Sequence, residues 1–289
     1  PIILAANRDE FFSRPTQDPR WWPDHPGIFG GRDTQAGGTW MAVSLPKLHA
    51  DPASASLQRT CRFAALTNVR GTAVRSEAAS QGTRPSRGHL VTRVLNSALS
   101  PEATMLEVAS QTMQYDGYNL VALEWRERYP PGTSCHPKVA KLQGWHLSNR
   151  GPYSDRVIPI EPGVHGVSNG AFNEAWPKTI LLTEAVKEAR TAPGLAAADE
   201  KLLNVLKDSE PVHEHRLPDT GIGTSAERDL SMPFIRTRFD SPGEQATYGT
   251  RTSTLFSLSQ AGQCRFRQIR WDSSALLPTV SAVREMQSG

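Results

Sequence analysis

The sequence has few cysteines, and their positions exclude two classes of protein. Three cysteines in 289 residues, Cys61, Cys135 and Cys264, lie far apart and show neither a CxxC pair nor a Cys/His metal spacing. Such usage is typical of a chain kept in a reducing compartment rather than of a disulfide framework or a structural zinc site. We therefore expect neither disulfides nor a cysteine-based metal centre.

A strong charge of one sign and a long apolar run are also lacking. The 32 basic and 29 acidic residues give a formal net charge of +3, and the basic residues are scattered along the chain. This excess is too small for a nucleic-acid face, so no DNA or RNA partner is expected. No run approaches the roughly 18 apolar residues that predict a membrane span, and no signal peptide opens the sequence shown.

The opening stretch combines an apolar run with a dense polar group. Residues 2–6 are all apolar, which predicts a short strand buried on both faces. Asn7, Arg8, Asp9 and Glu10 follow directly, and they supply hydrogen-bond donors and acceptors together. A surface turn is one interpretation of such a tetrapeptide. The density of charge favours the other interpretation, a cluster whose members hydrogen-bond to one another or orient a ligand.

The order of the predicted elements indicates an α+β fold. Strands are predicted over 40–44, 63–68, 118–125, 141–148, 163–169, 247–256 and 263–271. Helices are predicted over 89–109, where Pro101 begins a second helix, and over 176–189 and 197–207. The Pro- and Trp-rich stretch 14–31 is predicted to be an ordered loop. Strict alternation is missing, so antiparallel sheets with helices on their outer faces are favoured over a parallel doubly wound sheet.

No low-complexity linker and no internal repeat divides the chain. We therefore predict a single domain over 1–289, with surface insertions at about 46–60 and 126–139.

Several sequence blocks carry a resemblance to a known family. They occur in this order: residues 3–11 (ILAANRDEF), 13–15, 31–33, 36–40, 62–70, 86–88, 118–120, 166–169, 176–178 and 248–253. With these blocks the chain resembles the NRDE family, also called the transport and Golgi organization protein 2 family, over nearly its whole length.

The resemblance implies a fold and a function. The fold is a four-layer αββα sandwich of the N-terminal-nucleophile hydrolase type. The function is that of an intracellular protein, in the cytoplasm, at the Golgi or in mitochondria, linked to Golgi organisation, protein secretion and haem trafficking. The alternative is a cysteine amidohydrolase similar to the acylases. Because the family typically begins with Met-Cys, that reading places the nucleophile on a strand upstream of Pro1, and the chain as given is expected not to hydrolyse amides.

The resemblance also implies site residues. By analogy with bile salt and penicillin V acylases, Arg8 and Asp9 are similar to the pair that holds the nucleophile, and Asn169 is similar to the residue that donates to the oxyanion. We expect further polar residues to converge on the same cleft at the ends of the strands: Asn7, Glu10, Asn68 and Arg251. Arg8 is expected to be buried and paired with a carboxylate, Asp9, Glu10 or Asp33.

A small, largely apolar ligand is the expected partner. Trp40 and the aromatic residues of 14–31 would form an apolar wall beside the polar cleft. No cofactor is required, and haem is the ligand that the resemblance suggests, with Arg8 or Arg32 meeting a propionate. His213 and His215 alternate on an extended segment, but without a third ligand they predict no metal site. The sequence does not specify an oligomeric state.

Overall fold

The structure, a computed structural model, describes residues 2–50, 57–70, 84–129, 139–241, 244–273 and 278–288. Cys135 and the segments 51–56 and 130–138 of the expected insertions lie outside the described residues. The chain forms two compact units. The first unit contains Pro1–Pro15, Arg70–Val74 and Gly163–Gly289, and the second contains Thr16–Val69 and Arg75–Pro162.

Each unit is built on one antiparallel sheet. The strands are Ile2–Phe11 (β1), Thr16–Trp21 (β2), Ile28–Asp33 (β3), Met41–Ala50 (β4), Leu57–Asn68 (β5), Tyr118–Tyr129 (β6), Val139–Ser148 (β7), Val157–Pro159 (β8), Arg236–Ser241 (β9), Glu244–Leu258 (β10), Cys264–Trp271 (β11) and Val280–Ser288 (β12). The α-helices are Gly88–Asn96 (α1), Pro101–Ala109 (α2), Pro177–Ala189 (α3), Leu195–Leu206 (α4) and Thr224–Leu230 (α5).

The sheet of the first unit has the order β1-β10-β11-β12, and β9 pairs with the first part of β10. Helices α3 and α4 cover one face of this sheet. Leu202 and Leu206 of α4 are buried in a cluster with Leu255 of β10, and Ile3 and Ala5 of β1 pack against it. Full burial of one such leucine contributes about 1.5–3 kcal/mol, so this contact fixes β1 against α4.

The sheet of the second unit runs β2 to β8 in sequence order, each strand antiparallel to the next. Helices α1 and α2 pack on one face of it, where Leu90 and Met105 meet Leu120 and Leu147 in a fully buried cluster. The hydroxyl of Ser100 accepts a hydrogen bond from the Ala103 amide and caps α2, and Pro101 occupies its first turn. A proline there costs nothing because the first amides of a helix lack partners inside it.

The predicted α+β class is confirmed: both sheets are antiparallel, and helices pack on a face of each. The interruption of the helical region 89–109 at Pro101 is confirmed as well. None of the α-helices in the described part of the chain combines the length and the hydrophobicity that crossing a bilayer requires.

Two local predictions are wrong. Residues 163–169 form a loop, not a strand, because Gly166 and Asn173 close it: the Gly166 amide donates to Asn173 Oδ1, and the Asn173 amide donates to Gly166 O. The expected loop 14–31 contains β2 and most of β3. Pro19 is tolerated in β2 because that strand is at the edge of the sheet and its register shifts between Gln17 and Arg20.

The strands also reach into the expected insertions. β4 continues to Ala50, β5 begins at Leu57 and β6 ends at Tyr129. The register between β4 and β5 shifts between Ser44 and Lys47, which accommodates Pro46.

Candidate functional site

Asp9 lies where β1 changes its register against β10. Arg8 is opposite Thr252 and Asp9 is opposite Thr250, so β10 has one extra residue, Arg251, at this point. A bulge of this kind re-aims the side chains on either side of it. The Thr250 hydroxyl donates to Asp9 Oδ1 at 2.6 Å and accepts from the Ile235 amide at 2.9 Å. Asp9 is thereby fixed in place in the polar part of β1.

Lys178 supplies a buried positive charge to the same region. It follows Pro177 in the first turn of α3, and its side chain is only 7% exposed. Its ammonium group donates to Leu230 O at 3.1 Å. Lys178 and Asp9 therefore use different hydrogen-bond partners, although each is within electrostatic range of the other.

Arg70 and Glu227 complete the buried charges. The Arg70 guanidinium lies 3.5 Å from Glu227 Oε2, and Glu227 is 3% exposed. The other oxygen of Glu227 accepts from the Thr220 amide at 2.8 Å. The Arg70 amide donates to Asn169 O at 2.7 Å. Arg8, Asp9, Arg70, Lys178 and Glu227 are called the Asp9 cluster below.

Burial dominates the electrostatics of the Asp9 cluster. Desolvation raises the pKa of Asp9, although Lys178, Thr250 and both arginines act in the opposite direction. Desolvation lowers the pKa of Lys178 from 10.5 to about 8, against the attraction of Asp9. It also lowers the pKa of Arg70 and raises that of Tyr248. Such pKa shifts are concentrated at binding and catalytic sites. There, groups whose pKa lies near 7 exchange protons or hold a charged ligand.

Arg8 is buried as expected, and its guanidinium lies 3.8 Å from Glu10, one of the expected carboxylates. Glu10 also lies 3.7 Å from the Arg14 guanidinium and accepts from the Phe11 amide. Glu10 therefore joins the end of β1 to the turn that follows it.

Asn7 has partners on both sides of its amide. Its Nδ2 donates to Leu206 O at 2.8 Å and to Pro233 O at 2.7 Å, and its Oδ1 accepts from the Ser253 hydroxyl. The side chain thus joins β1 to the end of α4, to the segment before β9 and to β10. This arrangement gives Asn7 a positioning role next to the Asp9 cluster.

The remaining predicted residues of the first unit are Arg251 in β10 and Asn169 in a loop. Arg251, the extra residue of the bulge, donates to the carbonyls of Phe11 and Arg14 and so holds the turn after β1. Asn169 lies in the loop before α3 and is joined through its carbonyl to Arg70.

The predicted residues of the second unit are placed as follows. Asn68 is the last residue of β5, opposite Tyr118. Arg32 makes two hydrogen bonds to Asp24, at 2.8 and 2.7 Å, and its guanidinium stacks 4.3 Å from the centre of the Trp22 ring. These contacts engage Arg32 within its own unit.

The aromatic residues of 14–31 divide into core and surface. Trp22 is 2% exposed and donates to Gly30 O, whereas Trp21 is 43% exposed. Trp40 packs its ring on Gly31, where a Cβ atom would come within 2.5 Å of Trp40 Cη2. Trp22 therefore serves the core of its unit.

Sequence reasoning missed the roles of Arg70, Lys178 and Glu227. Arg70 and Lys178 end two of the sequence blocks that carry the family resemblance, and this was the available signal. Glu227 lies outside every block. His213 and His215 have ring centres 5.7 Å apart, and no group of three or more His, Cys, Asp or Glu suited to a metal occurs among the residues with described positions.

Comparison with known proteins places these residues in a family context. The family model described as Transport and Golgi organisation 2 matches residues 1–273. The mouse protein named Transport and Golgi organization 2 homolog is 28% identical over 274 residues, covering 92% of this chain and 85% of the mouse protein. The human homologue is 28% identical over 279 residues, with the same coverage. The Drosophila melanogaster protein named Transport and Golgi organization protein 2 is 29% identical over 291 residues, covering 92% and 84%.

Proposed function

The chain belongs to the Transport and Golgi organisation 2 family, and from this premise we propose that it acts inside the cell in Golgi organisation and protein secretion. The names of the mouse, human and fly relatives support this role. The proposed locations are the cytoplasm, the Golgi and mitochondria. The proposed molecular activity is the binding of a small ligand whose polar group is held at the Asp9 cluster.

The observation that supports ligand binding is the burial of two opposite charges, Asp9 and Lys178, that hydrogen-bond elsewhere. Removing charges from water costs several kcal/mol per ion, and apolar residues of similar size often stabilise a fold as well or better. A purely structural role thus gives little reason to place an ammonium group and a carboxylate here. A ligand with a charged or strongly polar group would supply a further partner at the cluster.

Haem fits this cluster only in part. Arg8, Arg70 and Lys178 are cations of the kind that meet a propionate. The cluster contains no histidine, cysteine or methionine, the usual ligands of haem iron. Tyr248 is next to it, but its pKa is raised by desolvation, which opposes the phenolate that would bind iron. We therefore propose that haem, if carried, is held through its acid groups without an iron–protein bond.

Titration of the purified protein with haem, followed by absorbance, tests this ligand. Saturable binding at micromolar haem, weakened at least about tenfold by Lys178→Met, is expected because a charge-assisted hydrogen bond is worth roughly 1.5–3 kcal/mol. Lys187→Met, on the exposed part of the same helix, is the control and should bind as the wild type does. Equal binding by all three proteins would remove haem from this site.

The cellular role is tested by expression of the chain in cells that lack their own relative and show disturbed Golgi morphology and slow secretion of a reporter. Restoration of both properties is expected. Unchanged morphology and secretion at normal expression would contradict the proposed role.

Amide hydrolysis is the second candidate. The observation that favours it is the pair Arg8 and Asp9 at the bulge, in which the raised pKa of Asp9 suits a group that accepts a proton. In this proposal Arg8 and Asp9 orient the nucleophile, and Asn169 donates to the oxyanion. Hydrolysis of acyl amides by the full-length protein, lost in Asp9→Asn but kept in Asp219→Asn, would support it. Hydrolysis that is equal in both variants would remove these roles.

A further inference from the structure

A second, separate feature of the first unit is a groove between α4 and the strands β11 and β12. Its volume is about 540 Å³, within the range of roughly 300–1,000 Å³ that is typical of small-molecule sites. Its lining includes Leu195, Ala196, Lys207, Arg265 and Arg267, together with the acids Asp199 and Glu200. None of them belongs to the Asp9 cluster.

The basic side of the groove is held in place by a buried acid. Asp199 of α4, 7% exposed, accepts from Arg265 at 2.7 Å and from Arg267 at 2.9 Å. Arg265 also donates to Glu285 at 2.9 Å. Arg267 has one hydrogen bond among the residues that the structure describes, to Asp199, and its Nε lies 3.9 Å from Glu285 Oε2, although a guanidinium has five N–H donors. Two guanidinium groups are thus fixed side by side. The Nε of Arg267 has no hydrogen-bond acceptor among the described residues.

The apolar side of the groove leads into the core. A smaller cavity of about 20 Å³ shares Leu195, Asp199 and Arg265 with the groove. It continues between β1, α4 and β10, and apart from Ser257 its further lining is apolar: Ile3, Leu4, Ala198, Leu202, Leu255 and Phe256. Leu195, at the junction, is 48% exposed. The groove thus has cations on one side and leads to this smaller, largely apolar cavity, called the apolar slot below. This combination suits an amphipathic ligand.

We propose that this groove binds a small amphipathic carboxylate, with the acid group on Arg267 and Arg265 and the alkyl chain over Leu195 towards the slot. A carboxylate matches the fork geometry of a guanidinium, and an alkyl chain gains free energy by leaving water at an apolar surface. Lys207 adds a third positive charge at the rim. The ligand class follows from this pairing of fixed guanidinium groups with an apolar slot.

Decanoate below its micelle concentration is the probe, titrated calorimetrically into the full chain. We expect saturable binding that Arg267→Gln weakens at least about tenfold, since a hydrogen bond to a charged group is worth roughly 1.5–3 kcal/mol. Decanol, which has the chain without the charge, should bind correspondingly more weakly. Butyrate, which has the charge with a short chain, should do so as well.

Two further variants separate loss of the site from loss of the fold. Ala196→Trp fills the groove from its exposed rim and should abolish decanoate binding without lowering the melting temperature. Arg93→Gln, an arginine of the second unit that pairs with Glu107, is the control and should bind normally. Decanol binding as tightly as decanoate, or decanoate binding unchanged in Arg267→Gln or Ala196→Trp, would overturn the proposal, as would the lack of any saturable binding.

Discussion

Asp9 and Lys178 carry opposite charges in the interior of the first unit, and each acts on the pKa of the other. Lys178 lowers the pKa of Asp9 and Asp9 raises that of Lys178, yet desolvation is the larger effect on both groups. The result is an acid that is harder to ionise and a base that is easier to neutralise. Burial of such a pair costs free energy, which supports the proposal that the cluster holds a charged ligand.

The first prediction concerns Lys178 and alkaline pH. Its pKa is about 8 in the folded protein and near 10.5 when unfolded. Between these values the unfolded chain binds more protons, so stability gains on the order of 3 kcal/mol as pH rises through this window. Lys178→Met should remove this gain, whereas Lys187→Met should keep it. Urea denaturation at pH 7 and pH 10 measures the difference, and equal pH dependence in all three proteins would show that Lys178 is not desolvated.

The second prediction concerns acid and His146. This histidine is buried in the second unit and hydrogen-bonds Asn119, and desolvation lowers its pKa from 6.5 to about 4. Its contribution is fully present above pH 6.5 and is lost as pH falls towards 4, on the order of 3 kcal/mol. His146→Gln should show a smaller loss of stability over this range. The exposed His213→Gln is the control, and an identical loss in both variants would contradict the assignment.

The third prediction concerns Asn7. Asn7→Ala leaves the carbonyls of Leu206 and Pro233 without their donor and Ser253 without its acceptor. Buried polar groups left without a hydrogen bond cost about 1–3 kcal/mol each, so the free energy of unfolding should fall by roughly 2–4 kcal/mol. Asn204→Ala, on the exposed side of α4, should cost less than about 0.5 kcal/mol. Urea denaturation compares the two, and a similar small loss in both would show that the Asn7 bonds contribute little.

The fourth prediction concerns Gly249 in β10. A Cβ atom there would come within 2.3 Å of Ile235 O, which is backbone and cannot turn aside. Gly249→Ala should therefore displace the start of β9 and lower the free energy of unfolding by at least about 2 kcal/mol. Gly194→Ala is a matched control, because no heavy atom lies within 4 Å of its added Cβ. A melting temperature unchanged in Gly249→Ala would contradict this close approach.

The sequence predicted the fold class because apolar runs and their breaks are local signals. Residues 2–6 are an example: their apolar run correctly predicted a strand. The predicted end of that strand and its burial on both faces were wrong, because β1 continues through the polar residues to Phe11 and most of its residues are only partly buried. Residues 163–169 were misread because their hydrophobicity resembles a strand, whereas the closing bonds between Gly166 and Asn173 depend on a side chain several positions away.

Only part of the Asp9 cluster could be predicted from the sequence. Arg8 and Asp9 are adjacent in the chain, so their proximity was visible. Lys178 in the first turn of a helix looks like an ordinary solvent-facing lysine, and Glu227 lies outside every block that carries the family resemblance. Tertiary packing brings Lys178 near Asp9, and Glu227 near Arg70 and Lys178, and no local pattern encodes this packing. Arg32 was similarly unpredictable, because its partner Asp24 belongs to a different segment of the same hairpin.

The most direct test of a functional ligand site at the Asp9 cluster uses Lys178→Met and Lys187→Met, expressed at equal levels in cells without their own relative. The test measures whether each variant restores Golgi morphology and reporter secretion. Thermal denaturation first verifies that both variants are folded at pH 7, because Lys178→Met removes a charge next to Asp9 and the donor to Leu230 O. Lys187→Met should restore both properties as fully as the wild type, and Lys178→Met should restore neither. Full rescue by Lys178→Met would contradict this prediction and would make the Asp9 cluster a structural feature.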